Sequence, residues 1–212
     1  MDKHAVNEPR GNPRADVAHI ASEVIAQYRR LGGVGFAYGQ GSVFTGFSED
    51  ADLDINLVWD RPCPPPRQER PVALLCDALH EPVQFDTASL ALDKLWVDGR
   101  QVDVVHHSKE TFEQMLEQVR CGDGWQESIW PLPLFAVAGF FYGVLLDDAY
   151  GEGAQAHATL AQFPEVLVRK THEALSGNFP FYQGELTACA RREDGWLFHE
   201  LLGKLLRDTY IA

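Results

Sequence analysis

The sequence predicts an α+β protein, with a small mixed β-sheet domain and flanking helices first and an all-helical domain after it. Three observations carry this. Strand-like apolar runs bounded by glycine are confined to the chain before about His107. An Asp98-Gly99 step, a strong hairpin signal, lies between two β-rich runs inside that stretch. Beyond Glu110 the apolar residues recur at helical spacing. The 212 residues suffice for one large or two small domains. The expected division is a loose arm over residues 1–13, the sheet domain over 14–108 and the helical domain over 109–212.

In chain order, Val17, Ile20, Ala21, Val24, Ile25, Tyr28 and Leu31 form one helical stripe, closed by Gly32-Gly33. A strand over Val34 to Tyr38 follows, then the turn Gly39-Gln40-Gly41-Ser42, then a second strand over Leu53 to Trp59. The proline-rich Arg61 to Pro71 is an extended spacer. Val72 to Leu79 is a short helix or strand. The strands Leu92 to Val97 and Arg100 to Val105 flank the Asp98-Gly99 turn. Ser108 caps a helix reaching about Arg120, with Glu110 in its first turn. Phe135 to Leu146 reads as an apolar helix in which Gly139 and Gly143 allow close packing. A helix begins at Pro164 and ends at Gly177-Asn178. The last stripe, Leu197, Phe198, Leu201, Leu202, Leu205 and Leu206, runs to Ile211-Ala212 without a cap, which reads as a truncated chain.

The formal net charge is -13. Binding along a nucleic-acid backbone needs clustered Lys and Arg, so a nucleic-acid partner is disfavoured. A nucleotide is not, because a metal ion can neutralise its charge locally. The four cysteines, Cys63, Cys76, Cys121 and Cys189, have neither metal-site spacing nor the density of a disulfide framework. They read as free thiols of a reducing cytosol. The N-terminus has no apolar signal core, and the longest apolar run is too short for a membrane span. The expectation is a soluble, cytoplasmic protein with no membrane partner.

Three features stand out together. Gly41-Ser42 follows a strand, Asp52-Leu53-Asp54 opens the next strand, and Asp103 lies between Val102 and Val104 in a later one. Residues two apart on a strand project to one side, so Asp52 and Asp54 present two carboxylates together. A third from a neighbouring strand completes a cluster. Such carboxylates repel one another unless a cation sits between them. Oxygen donors with open positions suit Mg²⁺, and two such ions clamp an in-line phosphoryl displacement. A Gly-Ser turn lets backbone N–H groups and a hydroxyl approach a phosphate. Alone, Asp-x-Asp beside Glu49 and Asp50 is an ordinary acidic loop. The ordered combination is what points to chemistry.

In this combination the chain resembles the nucleotidyltransferase superfamily, of polymerase-beta-like fold. That family's signature is Gly-Ser, a spacer, then an acidic-apolar-acidic-apolar step, here Gly41, Ser42, nine residues, Asp52, Leu53, Asp54 and Ile55. The likeness covers about residues 15–108. The helical half resembles the partner domain of small bacterial members such as aminoglycoside adenylyltransferases. The resemblance implies that Asp52 and Asp54 bind Mg²⁺, that Asp103 helps bind metal and acts as base, and that Gly41 and Ser42 hold the phosphates. It implies transfer of a nucleoside monophosphate from a nucleoside triphosphate to an acceptor hydroxyl on a small molecule, with release of pyrophosphate. The acceptor would bind in a cleft between the two domains. Two alternatives are a macromolecular acceptor, either a protein or toxin partner or an RNA end, and a non-catalytic nucleotide-binding module. The chain departs from the family pattern at Thr45, where many small members have arginine, and at Ala51, where serine is common.

Other residues have competing readings. His106-His107 reads as a strand-end pair at the surface or between domains, with a ligand or proton-shuttle role as the alternative. His199-Glu200 lacks the second histidine of a zinc-protease motif, since position 203 is Gly203. Arg169-Lys170 is the basic pair best suited to a triphosphate, against a solvated helix face. Asp147-Asp148 reads as structural. Asp86 ranks second to Asp103 as third carboxylate. Trp125, Trp130, Phe179 and Tyr182 are candidates for stacking, with core packing as the alternative.

Overall fold

The computed structural model describes residues 15–48, 51–62, 64–86, 90–124, 133–160 and 165–211. The expected N-terminal arm, Glu49, Asp50, Cys63, Trp125, Trp130 and Pro164 lie outside the described residues. The architecture is α+β with a mixed sheet. Two compact units divide the chain. One comprises Met1–Leu116 and Phe135–Ala161, the other Glu117–Leu134 and Gln162–Ala212. No helix among the described residues is long and apolar enough to cross a membrane.

The first unit holds the sheet. Its strands are β1 (Val34–Gln40), β2 (Leu53–Trp59), β3 (Val83–Asp86), β4 (Ala91–Val97), β5 (Arg100–Ser108) and β6 (Val144–Asp147), in the order β3-β4-β5-β2-β1-β6. Only β2 and β5 pair in parallel; the other neighbours are antiparallel. The hairpin turn has positive φ at both central residues, 51° at Asp98 and 75° at Gly99, as a type I′ turn requires.

Side-chain alternation splits the sheet into two faces. On one, Leu53, Ile55, Leu57 and Trp59 of β2 join Val102 and Val104 of β5 and Leu95 and Val97 of β4. Helix α1 (Ala15–Arg29) lays Val17, Ile20, Ala21, Val24, Ile25 and Tyr28 on this face. Burying each large apolar side chain contributes about 1.5–3 kcal/mol, so this stripe anchors the helix. The one-turn helix α3, which spans Val72–Leu75, adds its two end residues to the same core. On the other face, Phe36 and Tyr38 of β1 pack against Phe112 of α4 (Lys109–Arg120) and Phe140 of α5 (Pro133–Tyr142). Ser108 caps α4 by accepting the Thr111 N–H at 3.1 Å.

Three expectations are corrected. The helix expected over Phe135 to Leu146 stops at Tyr142, and Val144–Asp147 pairs with β1 as an edge strand. The half expected to be all helical therefore supplies a strand to the sheet. Gly143 makes the junction, since a Cβ there would collide with the Gly39 carbonyl of β1. A continuous apolar run carries no period to separate helix from buried strand. The short helix α6 (Glu152–Ala158) after it carries no apolar stripe.

The third correction lies in the second unit. Helix α7 (Glu165–Arg192) continues through Gly177-Asn178 and contains Pro180. A helix-interior proline costs about 3 kcal/mol. Yet the buried Leu167, Thr171, Tyr182 and Cys189 recur at steps of four, eleven and seven, one stripe that spans the proline. Tertiary burial outweighs local propensity here. Asp194 then caps α8 (Gly195–Ile211) through the Leu197 N–H at 3.1 Å, forming a helical hairpin with α7.

Candidate functional site

The parallel register pairs Leu53 with Val102 and Asp54 with Asp103. The two carboxylates therefore stand at the same level and leave the same face. Asp52 sits one residue before β2. Each of the three offers a carboxylate oxygen within 4.8 Å of the others. Asp52 is exposed, Asp54 half-buried and Asp103 buried.

Gly41 is brought to the same place from β1, whose last residue, Gln40, pairs with Asp54. Its φ is +84°, and a Cβ built there would lie 2.6 Å from Asp54 Oδ2. Only glycine fits that position. Ser42 follows in the single turn α2 (Gly41–Phe44), where its carbonyl accepts the N–H groups of Phe47 at 2.7 Å and Ser48 at 3.1 Å. The strand thus runs two residues further than the sequence suggests, and the Gly-Ser step turns the chain directly beside the carboxylates.

The electrostatics are those of crowded acids. Burial, and then the charges of Asp52 and Asp103, push the Asp54 carboxyl up to about 6, with Lys94 partly opposing them. Lys94 of β4 is the register partner of Asp103. Its Nζ donates to Asp103 Oδ2 at 2.8 Å, and Gln101 Nε2 donates to Asp103 Oδ1 at 3.0 Å. Gln101 also reaches Asp52 Oδ2 at 3.4 Å. The ion pair holds the Lys94 ammonium above its ordinary range, chiefly through the Asp103 hydrogen bond. Three clustered carboxylates, all hard oxygen donors, fit a divalent ion such as Mg²⁺.

Lys94 and Gln101 were not singled out from the sequence, although the signal was there. Counting back from a two-residue turn pairs Lys94 with Asp103.

The remaining candidates go elsewhere. Asp86 pairs with Arg70 at 2.7 Å and Arg67 at 3.5 Å on β3. Asp147 ion-pairs with Arg29, and Asp148 accepts the Gly153 and Ala154 N–H groups at the start of α6. Lys170 pairs with Asp123 at 2.9 Å within the second unit. Phe179 is exposed and Tyr182 buried.

The reading of His106 and His107 as a surface strand end is corrected, since both are buried within β5. His106 accepts the Trp59 indole N–H at Nδ1, 3.1 Å away, and donates from Nε2 to Asp93 at 2.9 Å. Burial holds it below its ordinary pKa, so it is neutral at pH 7. Asp93 also accepts from Tyr28 at 2.6 Å, Arg70 at 3.0 Å and Gln84 at 3.0 Å. Burial alone would raise the Asp93 carboxyl, but these donors hold it well below the usual carboxylate range. His107 pairs through Nε2 with the side-chain amide oxygen Oδ1 of Asn56 at 3.1 Å, and burial pushes it down to about 4. Asn56 and His107 lie two and four residues beyond the carboxylates on the same face.

No protein-family model and no curated protein matches the sequence. Among solved structures, the chain is similar to a nucleotidyltransferase-like protein from Exiguobacterium sibiricum 255-15, at 9% identity and a TM-score of 0.43. The alignment covers 90% of this chain and 54% of that one, so the chain spans about half the length of that neighbour.

Proposed function

We propose that the protein is a Mg²⁺-dependent nucleotidyltransferase, transferring a nucleoside monophosphate from a nucleoside triphosphate to an acceptor hydroxyl. The observation that supports this reading best is the grouping of Asp52, Asp54 and Asp103 with Gly41 packed against Asp54. In it, Asp52, Asp54 and Asp103 hold the metal, with two ions expected, and Gly41 and Ser42 receive the phosphates. Bound Mg²⁺ would supply charge neutralisation at the triphosphate. Asp103 takes the proton of the acceptor hydroxyl as its oxygen bonds to the α-phosphorus and the bond to pyrophosphate breaks. Gly41 keeps the approach to Asp54 free of a side chain. Orientation and charge compensation provide most of the acceleration.

The acceptor in this reading is a small molecule, and the net charge of -13 favours a cationic one. Calorimetry with ATP, GTP, CTP and UTP, with and without Mg²⁺, tests the site in the intact protein and in Asp52→Ala with Asp54→Ala. Magnesium-dependent triphosphate binding is expected only in the intact protein. Its retention by the double variant would remove the carboxylates from the reading.

A further inference from the structure

The three carboxylates are not equivalent. Both oxygens of Asp103, the most buried of them, are already engaged, one by the Lys94 ammonium and one by the Gln101 amide. A divalent ion that takes an Asp103 oxygen through its remaining lone pair sits beside the Lys94 ammonium, and the two cations repel each other. The Lys94 side chain is 43% exposed while that of Asp103 is 12% exposed, so Lys94 is the partner with room to move. Three carboxylates beside one ammonium leave two net negative charges, the charge that a single divalent ion cancels.

We propose that Lys94 is a displaceable internal cation. It holds Asp103 until a divalent ion arrives, and repulsion between the two cations then drives its ammonium off Asp103. This rests on reading the carboxylates as a divalent-metal site, and it adds a competition for that site within the chain. Lys94 is a positioning residue in this account: it acts through Asp103 and through the charge of the cluster. Its presence raises the metal concentration needed to load the site without nucleotide, and it spares the metal-free protein the full repulsion of three acids.

Mn²⁺ titration by calorimetry, without nucleotide, tests this on the full chain with Lys94→Met, Lys94→Arg and Asp54→Asn. Removing a unit charge about 4–5 Å from a divalent ion in a water-exposed setting is expected to tighten Mn²⁺ binding about tenfold in Lys94→Met. Lys94→Arg keeps the wild-type affinity, and Asp54→Asn loses binding. In a chelator, Lys94→Met melts below wild type, and Mn²⁺ raises its melting temperature by more than it raises that of wild type. Wild-type binding that depends on Asp54, but is equal or weaker in Lys94→Met, would overturn the role of Lys94 and leave the metal site standing. Equal Mn²⁺ binding by Asp54→Asn and wild type, or none by either, would overturn both. A merely structural lysine, when lost, would weaken metal binding, so the direction of the change separates the two cases.

Discussion

Asp54 and Asp103 are register partners across the parallel β2–β5 pair, so their carboxylates leave the sheet side by side with no residue between them. In the metal-free protein that juxtaposition is a source of instability. The folded-state pKa of Asp54, about 6, lies above its ordinary value of 3.8, so folding favours the neutral acid. The resulting stabilisation is complete below about pH 4 and is lost as pH rises through about 6, at a cost of up to about 3 kcal/mol. Asp54→Asn should therefore unfold at a higher temperature than wild type at pH 8 in chelator. The difference should shrink toward zero near pH 4. Thermal melts across that range check it, and equal curves at pH 8 would mean that the acids are not in conflict.

Gly41→Ala and Gly46→Ala make a matched pair. Both glycines have positive φ, 84° and 78°, so alanine at either carries a backbone cost of about 1–3 kcal/mol. Only at Gly41 does the new Cβ meet a carboxylate, Asp54, while Gly46 has nothing nearby. Both variants should lose stability in urea, Gly41→Ala the more. Only Gly41→Ala should also lose Mg²⁺-dependent triphosphate binding by calorimetry.

Asp93 lies on the opposite face of the sheet and has the opposite pH sign. Its depressed pKa contributes stability that is present above about pH 4 and lost as pH falls below it. Asp93→Ala leaves Arg70 buried with half of its carboxylate partners gone and removes the acceptor of Tyr28 and His106. Breaking a buried ion pair on one side costs about 3–5 kcal/mol. Urea unfolding at pH 7 should show a loss of that order. Acid unfolding of Asp93→Asn should be less steep than that of wild type.

Gly143→Ala drives a methyl group into the Gly39 carbonyl at the point where β6 meets β1. Overpacking of this kind costs about 1–3 kcal/mol. Hydrogen exchange should show lost protection at Val144 to Asp147 first, with β2 and β5 kept intact. Uniform loss across the sheet would mean that β6 is not an independent edge.

Much of the sheet was legible because its signals are local. Asp98-Gly99 can only turn a hairpin tightly, and the alternation beside it assigns faces to Val102, Asp103 and Val104. The grouping of Asp52, Asp54 and Asp103 followed from that alternation once the two strands were set next to each other. Lys94 was also within reach, since the turn determines its register. By itself, a lone lysine on a strand looks like solvent-facing charge. The helix expected over Phe135 to Leu146 failed for a different reason. An apolar run has no period, and only the contact of Gly143 with Gly39 decides where the helix stops.

The sequence by itself determined what depends on spacing and turn chemistry: the four strands β1, β2, β4 and β5, the turn that pairs Lys94 with Asp103, and the glycine at position 41. Tertiary structure decided what depends on distant partners. It buried His106 by joining it to Asp93, Trp59 and Tyr28. It carried α7 past Pro180, with one buried stripe on both sides of the proline, and it set a hydrogen-bond donor on each oxygen of Asp103. Those outcomes rest on desolvation and on partners far apart in the chain, and a local pattern of residues encodes neither.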